Sequence, residues 1–320
     1  MSETKAKTPT PEAPAPTPGS IVGPGTPTKP VEREFTVKER SQVKMVLRRF
    51  LRHRLAMGSL VVLILIAFVA YVGRKLLPHE FTWFEGPISE PPSGQYLMGT
   101  DDIGHDYLTL VLRGAQQSLN VCVLVVIIST LIGAPYGAIS GYFGGKVDAL
   151  MMRFVDVLLT LPFIVVVGAL GHHFNGNWFV VAFLIGLFNW VIQARLVRGQ
   201  VLSLRQQEFV EAARALGASD VRVIFRHLLP NVTGVIIVQA TLDIAGAILA
   251  EAGLSFIGLG IQPPDTSLGL LANQAREAVE TRPWLFYFPG AMIILIALTI
   301  NFIGDGLRDA LDPRQTRQRR

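Results

Sequence analysis

Three carboxylates, Asp156, Asp243 and Glu251, stand inside long apolar runs. A charge at the centre of a bilayer costs about 2.5–3.5 kcal/mol on insertion scales, so such a residue faces a bundle interior or water. The three are candidate residues of a translocation pathway. Arg153 lies one helical turn before Asp156 and is placed to neutralise it. Asp243 has no such neighbour in its run and is expected on a water-filled path. Glu251, nearer the outer end, either shares that path or snorkels to the interface. Other chemistry is poorly provided for. Gly144-Gly145-Lys146 ends like a phosphate-binding loop, but Ser140 occupies its first glycine position and Val147 its Ser/Thr position. His172-His173 are adjacent on a turn, and neighbouring histidines do not converge on one ion without further ligands; His79 and His105 fall on the same predicted side. No nucleophile elbow, zinc-ligand spacing or basic strip interleaved with aromatics occurs. Catalysis, a resident cofactor or metal, and nucleic-acid binding are not expected of this chain.

The elements that carry these carboxylates are membrane spans. Half of the 320 residues are hydrophobic and 17% are charged, against about a quarter charged in soluble domains. The apolar residues are gathered into blocks near the bilayer-spanning length of roughly 20 residues. An all-α polytopic membrane protein is predicted, with spans at 55–73, 118–139, 150–170, 178–193, 232–256 and 285–303. With the N-terminus inside, about twenty Lys and Arg fall on the inner face and about five on the outer, as the positive-inside rule requires. Both termini are therefore placed in the cytoplasm. The basic excess is topological, and the single Cys122 lies within an apolar block.

The domain organisation follows. Residues 1–36 are rich in Pro, Thr, Ala and Gly and predict a disordered cytoplasmic tail. Segment 37–54 is amphipathic, 55–73 is the first span and 76–117 an outer loop. Residues 118–306 form a five-span core that includes the inner segment 208–231, and 307–320 return to the cytoplasm. The longest inner connection, 194–231, has helical periodicity. Phe209, Ala212, Ala213 and Leu216 recur before Gly217; Val221, Ile224, Phe225 and Leu228 resume before Pro230, where the run is expected to stop. Two short amphipathic helices joined at Gly217 are predicted. They are too short to span and too apolar to stay bare in water. Gly133, Gly137, Gly141 and Gly145 recur every fourth residue and would form a bare stripe for close helix packing.

Glu211-Ala212-Ala213, Gly217 and Leu229-Pro230-Asn231 resemble the EAA signature of membrane subunits of binding-protein-dependent ABC importers. The stretches Gly99-Thr100-Asp101-Asp102-Ile103-Gly104-His105-Asp106, Leu254 to Pro264 and Gly304 to Arg314 are similar to the C-type subunit of dipeptide and oligopeptide permeases. The chain departs from the family pattern at His227, usually aliphatic, at His105, commonly Arg, and at Leu268, commonly Trp. The resemblance runs from about Val43 to Arg314 and implies the type I importer permease fold. It implies that Glu211, Ala212, Ala213, Gly217, His227, Leu229 and Pro230 belong to a coupling helix seated in a groove of the ATPase. It also implies a paralogous B-type permease subunit, two ATPase subunits that bind ATP and Mg, an extracytoplasmic solute-binding protein, and the cytoplasmic membrane of a prokaryote. Peptides are the implied solute, with nickel, glutathione or another small solute as the alternative. An ion-driven secondary transporter would need a self-contained binding site at broken helices, which the chain does not suggest.

Overall fold

The computed structural model describes residues 42–311. The predicted tail 1–36, the start of segment 37–54 and the end of 307–320 lie outside the described residues. Within them the fold is all-α, with an isolated bridge between Thr100 and Asp106. The helices are α1 (Gln42–Phe50), α2 (Arg54–Tyr71), α3 (Tyr107–Phe143), α4 (Gly145–Thr160), α5 (Phe163–His173), α6 (Trp178–Leu204), α7 (Glu208–Ala215), α8 (Asp220–Arg222), α9 (Leu229–Phe256), α10 (Leu268–Gln274) and α11 (Pro283–Leu311). A π turn, Val223–Leu228, joins α8 to α9, so Asp220–Phe256 is one helix. Five helices are long and apolar enough to cross a membrane, and the bent pair α4–α5 makes six if counted as one span.

Several predicted boundaries are corrected. α3 begins at Tyr107, inside the expected outer loop 76–117, because the Asp106 side chain accepts from Leu108 N at 3.1 Å and caps it. Its first turns bury Tyr107, Leu110, Val111 and Ala115 while carrying Arg113, Gln116 and Gln117, whose polarity masks the helix in a hydropathy profile. Burial pushes the Asp106 carboxyl above the ordinary range, against the opposing pull of the Leu108 N–H. α6 likewise runs on past Gln193 to Leu204. The third span is not straight: α4 and α5 meet at 75°. Leu161 is extended (ψ 130°), as a residue before proline prefers, and Pro162 is extended as well (ψ 103°).

Pro230 does not stop the inner run. The Leu229 N–H bonds five residues back, to Ile224 O, so the helix widens just before the proline. The Asn231 side chain then donates to His227 O at 2.6 Å. The proline ring is thereby accommodated inside the continuous helix, at the join of the wide turn and α9.

α3 and α6 form the most extensive helix pair. A Cβ added at Gly133 would lie 2.6 Å from Trp190 O, and one at Gly141 2.8 Å from Arg198 O; at Gly137 it would collide with Ala194 O. Three of the four predicted stripe glycines therefore admit the α6 backbone. Gly145 does not, because α3 has ended: Gly144 (φ +65°) breaks the chain and Gly145 opens α4 with nothing within 4 Å of its added Cβ. Overpacking of this kind typically costs about 1–3 kcal/mol. Gly137→Ala should accordingly lower the melting temperature and membrane yield of the chain, measured by fluorescence size-exclusion chromatography. Gly199→Ala, on α6 but with open space around it, should leave both unchanged.

Candidate functional site

The inner connection is built on the ends of α3 and α6. Arg205 donates to Gly141 O and Tyr142 O, each at 3.2 Å, which satisfies carbonyls that the end of α3 leaves free. Tyr142 in turn holds the connection: its hydroxyl donates to Asp220 Oδ1 at 2.5 Å and the Arg214 guanidinium lies 4.8 Å from its ring centre. Val210, Val223, Ile224 and Leu228 are buried in one cluster with Ala138, Tyr142, Val197 and Val201. Between the two halves Gly217 adopts φ +82°. Its N–H bonds to Arg214 O and that of Ala218 to Ala213 O, the paired bonds of a Schellman cap with glycine at the left-handed position. No atom lies within 4 Å of an added Cβ at Gly217. The glycine is needed for its backbone angle and not for close approach.

The apolar residues of this segment thus divide. Ile224 and Leu228, expected on the outward surface, point inward at 2% and 0% exposure. Leu216 (88%), Val221 (66%), Phe225 (48%) and Phe209 (39%) remain uncovered. Glu211 and Ala212 are exposed beside them, as is Pro230, while Ala213, His227 and Leu229 are half-buried. The structure therefore brings a rigid bend and an uncovered apolar ridge to one surface. Tyr142, Val210, Arg214 and Asp220 were missed by sequence reasoning. The spacing of Val210 and Arg214, one turn apart, was the available signal for two of them.

Asp243 and Glu251 are enclosed by this chain's own residues in the structure, whereas Asp156 is exposed. Asp243 is 4% exposed; it accepts from Gln239 at 2.9 Å and from Ser129 on α3 at 3.1 Å. Glu251 is fully buried and does not snorkel. Ser118 on α3 donates to it at 2.8 Å and Ser255 at 2.7 Å, with Ser267, the N-cap of α10, also bonded to it. Asp156 pairs with Arg195 of α6 at 2.5 Å, not with Arg153. A second α4–α6 bridge, Asp148–Arg198 at 2.5 Å, is supported by Ser140. Facing pairs on neighbouring helices prevail over the pair on one helix because α6 presents its arginines directly to α4.

Ahead of α3 Asp101 accepts from Ile103 N, His105 N and His105 Nδ1 (3.1, 2.7 and 2.6 Å), shaping the turn that leads into that helix. Arg113 grips Asp265 through two bonds of 2.9 Å. A cavity of about 570 Å³ opens between the segment before α3 and the one before α10, lined among others by Phe81, Asp102, His105, Asp265 and Arg282. His79 stacks on Trp83 with ring centres 3.7 Å apart, and Leu268 is fully buried.

Residues 133–317 match the family described as binding-protein-dependent transport system inner membrane component, and residues 41–92 match the N-terminal TM domain of oligopeptide transport permease C. The chain is similar to the oligopeptide transport system permease protein OppC of Mycobacterium tuberculosis, 44% identical over 284 residues, covering 88% of this chain and 97% of that protein. It is also similar to the dipeptide transport system permease protein DppC of Bacillus subtilis, 40% identical over 274 residues, covering 84% and 85%. Among solved structures, the MetNI methionine ABC transporter in inward-facing form aligns with TM-score 0.52 at 21% identity, covering 64% of this chain and 97% of that chain. That likeness concerns the fold alone.

The anchoring role of Tyr142 is testable directly. Tyr142→Leu removes both the bond to Asp220 and the ring beneath Arg214, and should free the segment between Arg205 and Arg222. Trypsin cleavage there, followed in the detergent-solubilised chain, is expected to rise at least several-fold while the spans stay protected. An unchanged cleavage rate would show that Val210 and Ile224 hold the segment without it.

Proposed function

Because the chain belongs to the family of binding-protein-dependent transport system inner membrane components, we propose that it is a channel-forming subunit of an ATP-driven importer of short peptides. The observation that carries this reading is the segment from Glu208 to Phe225, locked on its inner side and bare on its outer side at Leu216, Val221 and Phe225. An apolar ridge of that kind on a polar connection requires a partner. We assign the partner as the ATPase subunit, which binds the ATP and Mg that this chain has no loop to hold. Glu211, Ala212, Ala213 and Gly217 form the docking bend, and His227, Leu229 and Pro230 form the wide turn that passes its motion into α9.

In this reading, closure of two ATPase subunits pushes on the bend and moves α9 with the helices fastened to it, alternating access to a cavity shared with a paralogous B-type subunit. The apolar surface left bare on α4 and α5, including Leu150, Phe154 and Val165, is where we place that partner. Asp243, Glu251 and Asp156 fasten helices within the moving unit, and a path for solute past Asp243 would require Ser129 and Gln239 to release it. A solute-binding protein delivers peptide to the outer segments, and the termini face the cytoplasm of a prokaryotic cell. The peptide assignment is supported by the oligopeptide and dipeptide permeases to which the chain is similar.

Two outcomes are expected. Cysteines at 216, 221 and 225, in a background lacking Cys122, should cross-link to the ATPase subunits of the purified assembly. Gly217→Val, which forces a branched side chain into the left-handed region at about 1–2 kcal/mol, should keep the chain in the membrane but abolish peptide-stimulated ATP hydrolysis and uptake. Glu211→Lys should weaken recovery of the ATPase. No cross-link at any position, with full transport by the Gly217→Val assembly, would overturn the coupling assignment. Retention of nickel or glutathione instead of peptide by the cognate binding protein would overturn the solute.

A further inference from the structure

The first two helices leave a surface that neither the bundle nor the inner segment covers. Beyond Phe50 the chain continues as hydrogen-bonded turns, with Leu51 N to Leu47 O at 2.9 Å and Arg52 N to Arg49 O at 3.0 Å, before α2 begins at Arg54. Leu47 and Leu51 therefore lie a turn apart at 54% exposure each, and Leu55, in the first turn of α2 beyond the extended His53, is 64% exposed. Further along α2, Val61, Ile64, Leu65 and Phe68, spaced on one flank, are each more than half exposed. Arg48, Arg52 and Arg54 lie exposed beside the three leucines. No acidic residue occurs from Gln42 to Pro78.

The elbow between the two helices is held rather than loose. His53 Nδ1 accepts from Ala56 N at 3.1 Å, capping α2, and its Nε2 lies 3.6 Å from Asp309 at the end of α11. Gly306 of α11 leaves room for Ala56 at the same junction, since an added Cβ would collide with it. Val46 and Phe50 are partly buried, and α1 packs against α11. The leucines and arginines are thus presented at a fixed height, where a membrane span begins.

We propose that this elbow is a binding site for anionic phospholipid. Leu47, Leu51 and Leu55 insert among acyl chains, and Arg48, Arg52 and Arg54 hold the headgroup phosphate. The start of the α2 span directly after these residues selects a bilayer over a protein as the occupant, and the run of positive charge selects an acidic headgroup over a zwitterionic one. The site rests on α2 being a membrane span and is independent of what the assembly transports.

The test uses the purified assembly in nanodiscs of phosphatidylcholine and phosphatidylglycerol, with retained lipid counted by native mass spectrometry. The wild-type protein should retain phosphatidylglycerol selectively. Replacing Arg48, Arg52 and Arg54 together by Gln should reduce that selectivity on the order of a hundredfold, about fivefold per arginine, whereas replacement by Lys should keep most of it. A fluorophore at position 51, in a background lacking Cys122, should be quenched by brominated acyl chains. Unchanged selectivity in the Gln variant would overturn the proposal. Displacement of the lipid by millimolar inorganic phosphate would reassign the arginines to a free anion, and cross-linking of position 51 to an ATPase subunit without bromolipid quenching would assign the leucines to a protein.

Discussion

The approach of α6 to α3 across Gly133, Gly137 and Gly141 is the constraint on which the rest of the molecule depends. In lipid, apolar side chains gain nothing by meeting one another instead of acyl chains, so helix pairs are held by close van der Waals contact and polar bonds. Three glycines that admit the carbonyls of Trp190, Ala194 and Arg198 provide the first of these. The same register carries α6 past the end of its apolar run and sets Arg195 and Arg198 against α4 and Arg205 against the end of α3. From there Tyr142 fixes the bend at Gly217. A packing motif in the membrane therefore determines where the inner segment stands.

The carboxylates complete this framework as fasteners at successive depths. Asp265 ties Arg113 and Gln117 at the start of α3, Glu251 gathers serines from α3, α9 and the cap of α10, and Asp243 joins α9 to α3. Asp148 and Asp156 join α4 to α6. Asp148, Asp243 and Glu251 each have partners from more than one element, which is the condition under which a buried polar group is tolerated. Removing one partner leaves an unsatisfied group in a medium with no water to replace it.

Much of this was legible beforehand. Spans appear as apolar blocks, the inner segment as helical periodicity without sufficient length, and Gly217 as an interruption that proves to be a left-handed cap. What sequence reasoning missed has a common cause. Hydropathy marks where lipid touches the chain, not where helices end, so the polar extension of α3 before Ser118 was assigned to a loop and that of α6 beyond Gln193 to the inner connection. Partners distant in sequence were also invisible: Arg195 rather than Arg153 for Asp156, and Ser118 and Ser129 for Glu251 and Asp243. Burial of Ile224 and Leu228, in place of the outward display expected, depends on Tyr142 and Val197, which no local pattern connects to them.

The π turn before Pro230 has a geometric consequence of its own. An α-helix advances each residue by about 100°, and a wide turn holds one residue more than its neighbours, so it resets the angular phase between the helix below and the helix above. Val223–Leu228 is therefore a phase adjuster set into a helix about 55 Å long. Below it, the phase is dictated by Tyr142 and the bend; above it, by Ser129 and Ser118 reaching for Asp243 and Glu251. The two sets of contacts need not agree on a single rotation, because the turn absorbs the difference. A helix with strictly regular winding would have to choose between them, and the inner surface and the core could then not vary independently in a lineage.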